Sequence, residues 1–77
     1  MTATTLDARY LLCPLPVIRT QDAIAACRPG DHLQVLCTDP GVVHDIPVWC
    51  RLHGHAVCVI EQREHEIVIE IQVGETG

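Results

Sequence analysis

The stretch from His55 to Val73, HAVCVIEQREHEIVIEIQV, decides the architecture. Its first half, His55 to Gln62, carries the β-branched run Val57-Cys58-Val59-Ile60. Its second half alternates Ile67, Ile69, Ile71 and Val73 with Glu66, Val68, Glu70 and Gln72. A period of two with β-branched residues predicts two strands. The charged link Arg63-Glu64-His65 is short enough to close them into an antiparallel hairpin, whose outer acids oppose edge-to-edge association. Upstream, Leu33, Val35 and Cys37 alternate with Gln34 and Thr38, a strand from His32 to Thr38 with one buried face. Leu6 and Ala8 alternate with Asp7 and Arg9 in a short first strand that ends near Tyr10.

Helices fill the gaps. Pro14-Leu15-Pro16 puts two prolines in a first turn, where the backbone N–H groups lack intrahelical acceptors anyway. Val17, Ile18, Ile24 and Ala25 form an apolar stripe while Arg19 and Asp22 face water, and Pro29-Gly30 stops the element, so helix is expected over residues 14–28. Asp39 can cap a second helix with Pro40 at its first position, running through Val43, Ile46, Cys50 and His53 to Gly54. Pro47 deletes a hydrogen bond inside it, which predicts a loose turn over 40–46 and a firmer helix over 46–53. The order is β-α-β-α-β-β. The expected fold class is α/β (α+β): a two-layer sandwich with both helices packed on one face of a four-stranded mixed sheet.

The 77 residues, 48% of them hydrophobic, have room for a single core, so one domain is expected over residues 1–77. The net charge of -5 and five scattered Arg argue against direct nucleic-acid binding, which needs a basic stripe. The chain lacks Ser, Lys, Asn and Phe, which removes serine hydrolases, Schiff-base lysines and Walker-type phosphate loops. No apolar run is longer than that of Ala56 to Ile60, far short of the roughly 20 residues of a membrane span. Met1 to Thr5 shows neither a basic segment nor an apolar h-region, so a reducing cytoplasmic setting is expected. Cysteines at 13, 27, 37, 50 and 58 form no C-x-x-C pair and hence neither a disulfide framework nor a zinc knuckle.

Cys13 stands apart because it directly precedes the Pro-x-Pro helix start. At a cap position, unpaired N–H groups would point at its sulfur and favour the thiolate, lowering the thiol pKa from about 8.5 and making it a mild nucleophile towards another sulfur. Cys is a poor conventional cap, so local helix stability does not explain the choice, although a cap-region cysteine selected for size is the bland alternative. Cys27 and Cys37 fall on apolar faces, Cys58 lies within a strand run expected to be buried, and Cys50 lies on the second helix; all four should react less. His53 and His55, with His44 on the second helix, match metal-ligand spacing weakly. His44 and Asp45 could be a base and its orienter, although sequence does not place them near Cys13. Trp49 reads as a packing anchor, and Arg9, Arg19 and Arg51 as solvated charges, with Arg19 close enough to the helix start to help a thiolate.

Leu6-Asp7-Ala8-Arg9, Cys13-Pro14-Leu15-Pro16, Thr38-Asp39-Pro40-Gly41, Asp45-Ile46-Pro47 with Trp49-Cys50, and Gly54-His55 together resemble the TusA/SirA-like sulfur-carrier family across nearly the whole chain. The resemblance implies a βαβαββ sandwich and a persulfide carrier. Cys13 would accept sulfane sulfur from a cysteine desulfurase or rhodanese-like donor and pass it to a downstream acceptor cysteine, in tRNA thiolation, cofactor biosynthesis or sulfur oxidation. Pro14 and Pro16 would fix the helix start and no metal or organic cofactor is needed. Tyr10 departs from the family pattern, which has Gly after the Arg of the first motif. A monomer meeting its partners around Cys13 is expected. The alternatives are a non-catalytic interaction or regulatory module, and a soft-metal carrier using Cys13 with nearby His.

Overall fold

The computed structural model describes residues 3–74. Met1 and Thr2, part of the segment read above as carrying no leader, and residues 75–77 lie outside the described residues. The elements are β1 (Ala3–Asp7), α1 (Leu15–Ala25), β2 (His32–Cys37), α2 (Val42–Leu52), β3 (Ala56–Arg63) and β4 (Glu66–Gln72). The sheet order is β1-β2-β4-β3, with β1 and β2 parallel and the other two pairs antiparallel. The order of elements and the mixed sheet are those the periodicity predicts.

β4 lies second from one edge and is covered best: Ile67, Val68, Ile69 and Ile71 are all buried. Register sets Val35 against Ile69 and Leu33 against Ile71 from one side, and Val57 and Val59 against the same two isoleucines from the other. These side chains form one core with Ile24 of α1 and Val42, Ile46 and Cys50 of α2, so both helices cover one face. The opposite face carries Gln34, Glu70 and Cys58 in one row. Cys58 is therefore exposed, against the expectation that it is buried: β3 is an edge strand, and Cys58 shares its face with Glu70 rather than with the core. A register shift between Val59 and Glu61 leaves Ile60 half exposed at a bulge.

Several boundaries differ from the sequence expectation, three of the elements by more than one residue. β1 begins at Ala3, because pairing with β2 runs back to His32, and it ends at Asp7, where the chain bends through Arg9 and Tyr10. α1 ends at Ala25 rather than at 28: Ala26 and Cys27 donate to Ala23 O and Ile24 O, and the Asp31 carboxylate then accepts the Arg28 N–H at 2.9 Å. Its buried stripe is Pro16, Thr20 and Ile24, while Ile18 and Ala25 are exposed. The Thr20 hydroxyl donates to Pro16 O at 2.8 Å, so its burial leaves no polar group unpaired. α2 is one continuous helix from Val42 despite Pro47, with no loose turn over 40–46. Val42, Ile46 and Cys50, spaced by four, bury one stripe on the sheet. Burying the Val and Ile side chains alone contributes about 3–6 kcal/mol, which offsets the roughly 3 kcal/mol of an interior proline.

Candidate functional site

The loop leaving β1 is shaped by its first motif. Arg9 donates its backbone N–H and Nε to Asp7 Oδ1 (3.1 and 2.9 Å) and Nη2 to Oδ2 (2.9 Å), which holds the Asp7 carboxyl down at about 2. Ala8, fully buried, donates to Leu36 O and extends the hold on β2. Tyr10 then adopts φ +67, a left-handed conformation that favours glycine, with its N–H bound to Thr38 Oγ1 at 2.9 Å. That reversal carries Leu12 and Cys13 outward. Tyr10 and Leu12 are 83% and 73% exposed.

Cys13 follows at the head of α1 with its thiol exposed. The loops after the parallel pair β1 and β2 meet here. The Cys13 N–H donates to Asp39 Oδ2 (3.0 Å), while Asp39 Oδ1 accepts the Gly41 N–H (3.0 Å). Asp39 is thus not the helix cap, a position Gly41 holds, but a brace between the Cys13 loop and the start of α2. The thiol itself donates to Asp45 Oδ2 at 3.4 Å, from the first turn of α2.

Two sequence expectations about this thiol change. The N-cap of α1 is Pro14, joined to Cys13 by a cis peptide bond, so Cys13 lies one residue outside the cap. Two of the first-turn donors are also spent or missing: the Leu15 N–H goes to Leu12 O, and Pro16 has none. Instead of being lowered, the thiol pKa is raised: Asp45 accepts its proton in a hydrogen bond, partial desolvation adds to this, and the charges of Asp45 and Asp39 oppose a thiolate.

Pro14 is exposed beside the thiol and Pro16 is buried in the first turn. Arg19 is exposed on α1 and enters none of the ion pairs found among the described residues; the charges acting on Cys13 are carboxylates. A groove of about 360 Å³ runs from Cys13 between the helices, lined by Pro14, Val17, His44, Asp45, Val48, Trp49 and Leu52. Exposed apolar side chains lie in and near it: Leu15 and Val48 are half exposed and Leu52 is 77% exposed.

The other thiols differ in access and surroundings. Cys37 and Cys50 are buried and pushed up to about 11, and Cys27 is half-buried and also raised, with its thiol donating to Ala23 O. Trp49 stacks on His53 (4.2 Å) and His55 (5.7 Å) at the far end of α2. Their ring nitrogens are engaged there, His53 Nδ1 with Trp49 O and His55 Nδ1 with the Gly74 N–H. Among the described residues no three His, Cys, Asp or Glu side chains gather into a metal-holding group.

Sequence reasoning singled out Cys13, Pro14, Pro16 and Arg19, read Asp39 only as a helix cap, and left Asp45 unplaced. Both acids lie in the Thr38-Asp39-Pro40-Gly41 and Asp45-Ile46-Pro47 motifs that carry the family resemblance, a signal that marks the segments without saying that they meet at Cys13. Residues 4–73 match the family model described as Sulfurtransferase TusA. The chain belongs to the TusA family. A Neisseria meningitidis serogroup A protein named as a sulfur carrier is 36% identical over 72 residues, covering 94% of this chain and 97% of that one. The sulfur carrier protein TusA of Pseudomonas paraeruginosa is 41% identical over 59 residues, covering 77% and 72%. The crystal structure of a SirA-like protein from Desulfitobacterium hafniense superposes with a TM-score of 0.81 at 27% identity, covering 94% and 99%. Membership of the TusA family thus agrees with both the sequence motifs and the sandwich.

Proposed function

We propose that this chain is a sulfur carrier in which Cys13 cycles between thiol and persulfide. The observation that carries the proposal is the placement of the residue matching the family's cysteine: an exposed thiol at the head of an apolar groove. In the accepting step, the Cys13 thiolate attacks the outer sulfur of a donor persulfide. A new S–S bond forms, the donor's S–S bond breaks, and the donor cysteine leaves as a thiolate that takes up a proton. In the donating step, an acceptor thiolate attacks the outer sulfur on Cys13 and expels the Cys13 thiolate. Pro14 and Pro16 fix the helix start that presents the sulfur, and Arg19 supplies a cation on the same helix for the docked partner.

A cysteine desulfurase or rhodanese-like protein is the proposed donor, and a protein cysteine in tRNA thiolation or sulfur oxidation the proposed acceptor. Both would dock on the exposed Tyr10, Leu12, Leu15, Val48 and Leu52 around the thiol. Transient contacts of this kind suit a monomer. Five free thiols suit the reducing cytoplasm, and among the described residues no helix is long and apolar enough to cross a membrane.

The test uses the spacing of arginines. Trypsin cleaves after Arg9 and Arg19, so Cys13 is the single cysteine of its peptide, residues 10–19. After treatment with a persulfide donor, alkylation and digestion, that peptide should gain one sulfur, and Cys13→Ser should abolish the gain. Sulfur spread evenly over the peptides carrying the other four cysteines would overturn the assignment.

A further inference from the structure

We infer that Asp45 holds Cys13 as a resting thiol in the free protein, and that the site is built to react with clients whose own sulfur sits beside a cationic side chain able to engage Asp45. The inference rests on the sulfur-carrier reading and specifies what the carrier selects in its partners. Its basis is geometric. Cys13 Sγ lies 3.4 Å from Asp45 Oδ2, in position to donate its proton to that oxygen. Asp39 stands on the other side, held to the Cys13 N–H and the Gly41 N–H. Neither carboxylate enters an ion pair found among the described residues, so two negative charges face the sulfur without a fixed cation. His44 lines the same groove, and the whole chain carries a charge of -5.

The chemistry follows from charge. Both transfer steps pass through a Cys13 thiolate, as nucleophile when sulfur is accepted and as leaving group when it is donated. A carboxylate that binds the thiol proton and repels the anion slows both. A cation brought to Asp45 by a docked client removes the repulsion and competes for the oxygen that holds the proton. Apart from His44 and Asp45 the groove is lined by Pro14, Val17, Val48, Trp49 and Leu52, and this apolar surface strengthens such a pair relative to one in open water. The same acid therefore shields the sulfur from neutral and anionic small molecules and admits a cationic client.

Thiol–disulfide exchange with small probes tests this without any partner. The Cys13 thiolate attacks one sulfur of the probe, a mixed disulfide forms, and the probe's other half leaves as a thiolate and is protonated. Rates are read on the peptide 10–19 by mass spectrometry for cystamine (cationic), hydroxyethyl disulfide (neutral) and dithiodipropionate (anionic). The wild-type ratio of cationic to anionic rates should exceed that of Asp45→Asn by about fivefold or more at low salt. It should fall towards the variant's ratio in about 1 M salt. Alkylation of Cys13 by iodoacetamide should shift to lower pH in Asp45→Asn. For each pH unit of displacement the rate at neutral pH should rise about threefold, the tenfold gain in thiolate being offset by lower nucleophilicity. Equal charge ratios in the two proteins, or an unmoved pH profile, would overturn the inference. If Asp45→Asn fails to fold, a wild-type ratio indifferent to salt overturns it instead. Small disulfides need no sulfane donor, so the result stands apart from the persulfide-labelling test: an unlabelled Cys13 sinks the carrier reading, whereas an indifferent Asp45 sinks only the gate.

Discussion

Tyr10 is a bulky side chain at a backbone angle that suits glycine, φ +67, and it is 83% exposed, so no core packing repays the conformation. A left-handed non-glycine residue costs about 1–2 kcal/mol, while glycine gives back roughly 0.5–1 kcal/mol in unfolded-state entropy. Tyr10→Gly should therefore stabilise the fold by about 0.5–1 kcal/mol; a lowered urea midpoint would contradict the strain. Cys13 stood out in the sequence because composition removes serine and lysine nucleophiles and the paired prolines mark a special helix start. Its acidity was misread for a physical reason. The dominant group is Asp45, 32 residues away along the chain, and a helix-terminus argument sees only local dipoles.

At the scale of elements, α2 carries both the core and the chemistry. Ile46, 1% exposed, is buried against the sheet immediately beside Asp45 in the sequence. Ile46→Ala should cost about 2–5 kcal/mol in urea unfolding, and in the surviving native fraction Cys13 should alkylate faster as Asp45 loses its seat. A loss below about 0.5 kcal/mol would mean that the stripe does not anchor the helix. The sequence overstated Pro47 because a propensity argument weighs one lost hydrogen bond without the burial of Val42 and Ile46 before it and Cys50 after it. Cys58 was misplaced for a related reason: a run of β-branched residues reads alike in a central and an edge strand. Only register, which pairs Cys58 with Glu70, separates them.

For the whole molecule, stability should pass through a plateau in pH. His55 is buried, its Nδ1 accepts the Gly74 N–H, and burial followed by the nearby His53 charge pushes its pKa below 6.5. The unfolded chain then binds the proton more readily, so stability is full above about 6.5 and is lost as pH falls through the lowered value. Cys37 and Cys50 behave oppositely. Burial raises both from 9.0 to about 11, so the native state keeps protons that the unfolded state has released. Their contribution is complete below about 9 and disappears as pH rises through about 11. Urea midpoints measured across this range should be flat between the two limbs; a midpoint that rises from pH 9 to 11 would contradict the burial of these thiols. The order of elements and the mixed sheet were legible from periodicity, because alternation and turn residues are local. Which loops meet at the end of the sheet is a property of topology, and so the two acids came into view only with the fold.

Asp39 spends one oxygen on the Cys13 N–H and the other on the Gly41 N–H. It works as a yoke, since neither team can shift without dragging its fellow. Any change in the segment between Thr38 and Gly41 therefore reaches a sulfur it never touches. Tuning such a courier for a new recipient means altering the stance of the hand together with the grip.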